Sequence, residues 1–274
     1  MSETPTNVIE GSQDHERVVF LHGWCGHADE VESIRSSLPG RVLAVSWTPP
    51  GGSLDLEAWP GKDRDPGEAE GAMRNFADDV MRQVRQRILD AGFGGATLIG
   101  HSLGGALSCM LANDPELAVR RVILLDSSTP MPADRRTERI GKMTEWVDRA
   151  ADAGRLMAQA AWIAEASTWI PDLFSLEDQG SDRLRIERRF MFAPAPEAAM
   201  MLGGAVQWPI DESIRSMPCA VHALAGDPGL LMVESLRAIR PDARIEVCEG
   251  TGHYPHVFAP GRTRDWLQAA FTSD

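Results

Sequence analysis

Residues 97–105 read TLIGHSLGG, an apolar run that leads into a serine with a glycine two residues away on either side. Thr97, Leu98 and Ile99 predict a short buried strand, and the residues from Leu103 onward predict a helix. Ser102 stands between them in the pattern G-x-S-x-G, which is typical of a serine on a sharp strand-to-helix turn. Glycines at these positions relieve the collisions that side chains would cause in such a strained turn. The stretch therefore predicts a strand, a tight turn and a helix that together project Ser102 from the edge of a sheet.

Strands and helices alternate on both sides of this unit. β-Branched and apolar runs predict strands at 17–21, 41–47, 96–100, 121–126, 218–226 and 244–248. Apolar residues at helical spacing predict helices at 68–91, 103–112, 230–239 and 262–271, with a further helix after residue 27. This alternation predicts an α/β fold with a mostly parallel, doubly wound sheet and helices on both faces.

The alternation stops after the strand at 121–126. No strand is predicted between residues 129 and 212, where helical stretches carry several tryptophans and methionines. The pattern predicts a core made of residues 1–128 and 213–274, with a helical cap inserted at 129–212. The large apolar side chains of that cap predict an apolar substrate pocket between the cap and the sheet.

Composition limits the possible partners. The chain has 274 residues and a formal net charge of −13 at pH 7. An acidic surface repels phosphate backbones and anionic lipids, so we expect a small-molecule substrate and neither nucleic acid nor a membrane as partner. The cysteines show no paired spacing, which favours reduced thiols. With no apolar leader and no long apolar stretch, a soluble, cytoplasmic protein is expected.

A serine nucleophile needs a base that can take up and return one proton near neutral pH. His253 follows the last predicted strand, at the same sheet edge as Ser102, and is the favoured base. His256 is the competing candidate three residues later. Two aspartates, Asp126 and Asp227, each end a predicted strand, and either could orient the histidine.

Three short motifs resemble the α/β-hydrolase fold family: HGW at 22–24, GHSLGG at 100–105 and GH at 252–253. In that family the acid commonly ends a late strand, nine residues after its opening proline and just before another proline. Asp227 meets this pattern, although the family's glycine is displaced here to Gly226. The resemblance therefore favours Asp227 as the acid. Asp126 remains the alternative, because some family members place the acid after the earlier strand.

The resemblance also implies an oxyanion hole, formed in the family by two backbone N–H groups. Those groups correspond here to the amides of Trp24 and Leu103. Because such a donor must be held in place, the loop at 22–26, which carries Trp24, is expected to be rigid. The adjacent Cys25 is expected to be an inert thiol. The sequence has no Walker loop, no dinucleotide-binding fingerprint and no recognisable zinc motif, so no cofactor and no metal are expected.

These observations predict a serine hydrolase that cleaves a carboxylic ester, thioester or lactone of an apolar small molecule through an acyl-enzyme on Ser102. A second interpretation is a cofactor-free dioxygenase of a hydroxylated heteroaromatic ring, which the chain resembles at residues 23–25, at Asp126 and around His253. In that case a His253/Asp126 dyad would deprotonate the ring hydroxyl. A third is a ligand-binding protein that keeps the fold without turnover.

Overall fold

The computed structural model describes residues 6–9, 16–47, 49, 52, 54–60, 64–127 and 131–272. The described strands are β1 (Thr6–Ile9), β2 (Arg17–Leu21), β3 (Arg41–Val45), β4 (Thr97–His101), β5 (Arg121–Leu125), β6 (Ala220–Asp227) and β7 (Arg244–Glu249). The described α-helices are α1 (Pro66–Asp90), α2 (Leu103–Leu111), α3 (Ala133–Ala153), α4 (Arg155–Trp169), α5 (Ser181–Phe192), α6 (Ala195–Ala205), α7 (Ile210–Ser216), α8 (Val233–Ile239), α9 (Pro255–Phe258) and α10 (Pro260–Thr272). Short 3-10 helices lie at Ala28–Ser33, Arg35–Ser37 and Ile170–Leu173.

The described strands form one sheet in the order β1-β3-β2-β4-β5-β6-β7. Strands β2 to β7 pair in parallel, and β1 pairs antiparallel with β3. The mostly parallel, doubly wound sheet predicted from the sequence is confirmed. Because the chain runs outward from β2 to β3 and then crosses back to β4, the loops that follow β2 and β4 diverge. Such a switch point opens a crevice at the carboxyl ends of the strands, where ligands bind in this type of sheet.

The central strands are buried on both faces, because alternate residues point to opposite sides of a sheet. In β2, Val19 and Leu21 join one hydrophobic cluster with residues of α1 and α2, whereas Val18 and Phe20 join a second cluster with Leu267 of α10. A strand that is buried on both faces needs a continuous apolar run such as RVVFL. These strands could therefore be predicted from the sequence.

Two local elements differ from prediction. The antiparallel edge strand β1 was not predicted, because its four residues lie in an otherwise polar N-terminal stretch. The helix expected after residue 27 is a pair of 3-10 helices instead. Apolar residues three or four apart fit either helix type, and the short segment ends at Pro39-Gly40.

In its described part, the insertion between β5 and β6 contains helices, from α3 to α7, and no strand. Its predicted start at 128/129 lies outside the described residues. Met201 and Ala205 of α6 and Ile214 of α7 belong to the same hydrophobic cluster as β2 and β5, so the end of the insertion packs on the core. The division into core and cap stays a prediction.

Among the described helices, none combines the length and the apolar character that a membrane-spanning segment needs.

A close helix contact gives a test of this packing. An added Cβ at Gly204 of α6 would overlap the backbone carbonyl of Met73 in α1, whereas one at Gly141 of α3 meets no atom within 4 Å. We expect Gly204→Ala to lower the free energy of unfolding by about 1–3 kcal/mol, because the two helices must separate. Gly141→Ala should raise it by about 0.5–1 kcal/mol through helix propensity. Urea denaturation measures both, and equal effects of the two variants would contradict this packing.

Candidate active site

Ser102 stands at the turn that its sequence pattern predicted, between β4 and α2. Its backbone has φ 52° and ψ −121°, a conformation that costs energy for a residue with a side chain. A Cβ at Gly104 would collide with the carbonyl oxygen of Leu21, and one at Gly100 with the backbone of Gly104. Glycine at these two positions lets α2 approach the central strands closely enough to hold the turn.

The loop after β2 lies directly against the serine. A Cβ added to Gly23 would be 3.0 Å from the Cβ atom of Ser102. The next residues turn sharply, with Cys25 at φ 58° and a hydrogen bond of 3.0 Å from Gly26 N to Gly23 O. Within the described part of the chain, the amides of Trp24 and Leu103 have no protein acceptor. Both N–H groups are therefore available as hydrogen-bond donors.

His22 anchors this loop. Its Nδ1 lies 2.8 Å from Gly23 O, and its Nε2 accepts a hydrogen bond of 3.2 Å from Trp47 N. The imidazole also stacks on the Trp47 ring with a centroid distance of 4.9 Å. Burial lowers the pKa of His22 to about 4, so the ring is neutral at neutral pH. Since both ring nitrogens are occupied, His22 holds the loop in place.

His253 follows β7 and is 3% exposed. Its Nδ1 lies 2.6 Å from Oδ2 of Asp126, and its backbone amide donates to Leu173 O at 2.8 Å. Because a carboxylate only accepts, Nδ1 carries the hydrogen and Nε2 keeps a lone pair. The imidazole rings of His253 and His101, the residue before Ser102, are 4.7 Å apart. The structure thus brings His253 to the serine turn, as predicted, and pairs it with Asp126.

The choice of Asp227 as the acid needs correction on this geometry. Asp227 ends β6 with an exposed side chain, and no hydrogen bond or ion pair joins it to His253 among the described residues. Asp126 is instead completely buried and reaches across β6 to the histidine. Its carboxylate also accepts hydrogen bonds from the amides of Gly226 at 3.0 Å, Leu230 at 2.7 Å and Leu231 at 3.1 Å.

The local backbone explains this arrangement. Asp126 has φ 40°, which turns its side chain away from β5 and toward the loop after β6. A Cβ at Gly229 would collide with Oδ1 of Asp126, so this loop can wrap the carboxylate only with glycine there. Gly226, the displaced glycine that departs from the family pattern, supplies one of the wrapping amides.

The ionisation of the pair follows from its contacts. Burial alone would raise the pKa of Asp126. This effect is outweighed by the hydrogen bond and charge of His253 and by the hydrogen bonds from the amides of Leu230 and Gly226, so the pKa lies below its ordinary value. Burial lowers the pKa of His253 although the contact with Asp126 opposes the shift. At neutral pH the pair is therefore a carboxylate beside a neutral imidazole, which can accept a proton at Nε2.

Other residues considered as catalytic have different surroundings. His256, the competing base, is completely buried, and its Nε2 lies 3.7 Å from a carboxylate oxygen of Glu30. Burial lowers the pKa of His256 to about 4. Burial also raises the pKa of the Cys25 thiol well above its ordinary value, so this thiol is protonated and inert. All four cysteines of the sequence are buried and free of disulfides.

Aromatic side chains from the inserted helices pack around Trp24, in the loop after β2. The Trp24 indole donates to Ala198 O at 2.9 Å and stacks on Trp169 at a centroid distance of 6.0 Å. Trp162 and Phe190 meet the same indole edge-on at 5.6 and 5.9 Å. Next to His253, Tyr254 is completely enclosed by its neighbours. Aromatic rings therefore contact both Trp24 and His253.

One set of potential metal ligands lies behind the serine turn. Among the described residues, Glu30, His101 and His256 are the group whose ligand atoms all lie within 4.8 Å of one another. They come from distant parts of the sequence, so ligand spacing could not reveal them.

Comparisons with known proteins agree with this fold. A Drosophila melanogaster protein named a probable serine hydrolase is 28% identical over 142 residues, which cover 52% of this chain and 38% of that protein. The chain therefore spans well under half of that relative's length. The enol-lactonase from Burkholderia xenovorans LB400 shares the fold with a TM-score of 0.71 and 13% identity, over 98% of this chain and 96% of the other. An esterase from Thermogutta terrifontis does so with a TM-score of 0.70 and 17% identity, over 98% and 95%.

The model of the alpha/beta hydrolase family matches residues 18–266, which include the loop after β2, the serine turn and the loop after β7. The chain belongs to the alpha/beta hydrolase family.

Proposed function

We propose that this protein is a serine hydrolase that cleaves a carboxylic ester, thioester or lactone. Ser102 attacks the substrate carbonyl while His253 Nε2 takes the hydroxyl proton, and the alkoxide or thiolate leaving group then receives that proton. The product of this half-reaction is an acyl-enzyme on Ser102. Water then attacks the acyl group, with His253 again as base, and releases the acid and the free serine.

The hydrogen bond between His253 and Asp126 is the observation that carries the proposal. It fixes the imidazole tautomer whose Nε2 can act as a base, and the negative charge of Asp126 stabilises the imidazolium formed during attack. A buried histidine without this partner would lose the proton affinity that the reaction needs. The positive φ of Ser102 supports the same function, because strain of this kind persists only where the surrounding structure enforces it.

The free amides of Trp24 and Leu103 supply electrostatic stabilisation in this mechanism. They would donate hydrogen bonds to the oxyanion that develops on the substrate carbonyl. A donor of this kind contributes roughly 3 kcal/mol of transition-state stabilisation when it is held rigidly. The two hydrogen bonds that fix His22 support that rigidity.

An apolar substrate is the class that these surroundings favour. Trp162, Trp169 and Phe190 contact the ring of Trp24, and Tyr254 contacts the ring of His253. Aromatic surfaces bind acyl chains and rings and leave charged groups without partners. The names of the relatives, a probable serine hydrolase, an esterase and an enol-lactonase, agree with carbonyl substrates of this kind.

Hydrolysis of p-nitrophenyl esters of increasing acyl length tests the proposal, with fluorophosphonate labelling as the second measurement. We expect turnover with an optimum at one chain length, and covalent labelling at Ser102. Labelling without turnover would show that Ser102 is a reactive nucleophile and would indicate a lactone or thioester as substrate. Absence of both reactions would contradict a hydrolase.

The cofactor-free dioxygenase stays the second candidate, because the Asp126–His253 pair is also the dyad that this chemistry would use. A neutral His253 could deprotonate a ring hydroxyl, and the resulting anion would react with O₂. The aromatic side chains around Trp24 suit a flat heteroaromatic ring equally well. Oxygen uptake with hydroxylated heteroaromatic compounds distinguishes the two, since only the dioxygenase would consume O₂ and retain activity in Ser102→Ala.

A further inference from the structure

A second polar cluster lies behind the serine turn, made of Glu30, His101 and His256. We call it the Glu30 cluster. Glu30 belongs to the 3-10 helix after β2, His101 ends β4 and His256 lies in α9. Each side chain is at most 1% exposed. Polar groups so deeply buried are normally paired, because an unpaired one costs the free energy of its lost hydration.

The facing atoms of the cluster are not paired. Glu30 Oε2 lies 3.6 Å from His101 Nδ1 and 3.7 Å from His256 Nε2, which is too long for hydrogen bonds. Within the described part of the chain, none of these three atoms has a hydrogen-bond partner. The other oxygen, Oε1, accepts a hydrogen bond of 3.1 Å from His27 N and lies 3.4 Å from Arg189. His256 Nδ1, the other nitrogen of that ring, is also without a hydrogen-bond partner among the described residues. The three facing atoms therefore lie together without a hydrogen bond between them.

The tautomer of His101 sharpens this observation. His101 Nε2 lies 2.9 Å from the carbonyl oxygen of His253, so Nε2 carries the hydrogen. A ring with its hydrogen on Nε2 has its lone pair on Nδ1, the atom that faces Glu30 Oε2, and a carboxylate oxygen is itself an acceptor. Two acceptors that face each other in a dry interior repel unless a positive centre lies between them. A histidine that donates its outer N–H to a backbone carbonyl is also the usual arrangement of a metal ligand.

We propose that the Glu30 cluster binds one divalent transition-metal ion of the zinc class. Zinc binds imidazole nitrogen and carboxylate oxygen at about 2.0–2.2 Å, so in tetrahedral geometry its ligand atoms are separated by roughly 3.3–3.6 Å. The observed separations of 3.6 and 3.7 Å are close to that range. Mg²⁺ and Ca²⁺ are disfavoured, because these ions prefer sites built of oxygen atoms.

The bound ion would have a structural role. It would join the loop after β2, the end of β4 and α9, the three segments that surround Ser102 and His253. None of its three ligands is assigned a step in the proposed reaction. Binding of the ion therefore does not depend on which substrate the protein cleaves.

Metal content measured by mass spectrometry tests the proposal. Untagged wild-type protein, produced and refolded with ZnCl₂ and then dialysed, should retain about one zinc ion per chain. Glu30→Gln and His256→Gln should each lose it. His222→Gln is the matched control, because His222 is a buried histidine of β6 outside the cluster, and it should retain the zinc.

Wild-type protein alone gives a second readout that does not depend on the folding of the variants. Zinc should raise its Tm, since an ion bound only by the folded state stabilises that state, and Co²⁺ should give the visible absorption bands of a low-coordinate nitrogen and oxygen site. Wild-type protein without zinc and without a Tm response would overturn the proposal and indicate an ordered water in the cluster. Equal zinc content in Glu30→Gln and wild type would also overturn it, because the ion would then lie elsewhere.

Discussion

Ser102→Ala is expected to abolish ester hydrolysis, with kcat falling by roughly 10⁴-fold or more. Alanine removes the Oγ atom that would form the acyl-enzyme, so neither His253 nor the oxyanion donors have a nucleophile on which to act. The substitution should leave the fold intact, because the Ser102 backbone bonds to Leu125 and Ser127 do not involve the hydroxyl. Steady-state kinetics with the best p-nitrophenyl ester measures the effect.

Ser108→Ala provides the matched control for this experiment. Ser108 is a completely buried serine of α2 whose hydroxyl donates to Gly104 O at 2.8 Å. This variant should keep kcat within a few-fold of wild type and should still react with a fluorophosphonate, whereas Ser102→Ala should not be labelled. Undiminished ester hydrolysis in Ser102→Ala would remove the serine from the mechanism. Oxygen consumption retained in that variant would favour the dioxygenase.

Asp126→Asn is expected to lower kcat by roughly 10³ to 10⁴-fold, with a smaller effect on KM. An asparagine amide that faces His253 Nδ1 favours the wrong imidazole tautomer, and it no longer stabilises the imidazolium. Circular dichroism and thermal unfolding must accompany the kinetics, because three backbone amides also bond to this carboxylate. We expect Asp126→Asn to be less stable than wild type but folded at 25 °C.

The matched variant is Asp227→Asn, which changes the aspartate that the family pattern favoured. Its side chain is exposed, so kcat and Tm should stay close to those of wild type. Loss of activity in Asp227→Asn together with an active Asp126→Asn would restore Asp227 as the acid. Equal losses in both variants would indicate that the loop after β6, rather than one carboxylate, controls the geometry of His253.

The fold was predictable because its signals are local. Runs such as RVVFL at 17–21 and RVILL at 121–125 carry apolar residues on both faces of a strand, and each lies within one or two residues of its predicted bounds. The edge strand β1 escaped prediction because an edge strand of four residues needs no such run. The 3-10 helices after residue 27 escaped because helical spacing does not distinguish helix types over so few residues.

By itself, the sequence determined the doubly wound sheet, the turn that carries Ser102 and the position of His253, because each depends on residues that are neighbours in the chain. The tertiary structure decided which aspartate meets the histidine. Asp126 and Asp227 both end strands, and only the positive φ of Asp126 and the absence of a side chain at Gly229 select between them. The tertiary structure also brought together Glu30, His101 and His256, which lie far apart in the sequence. Such contacts arise when segments that are distant in the sequence pack together, so local sequence patterns do not predict them.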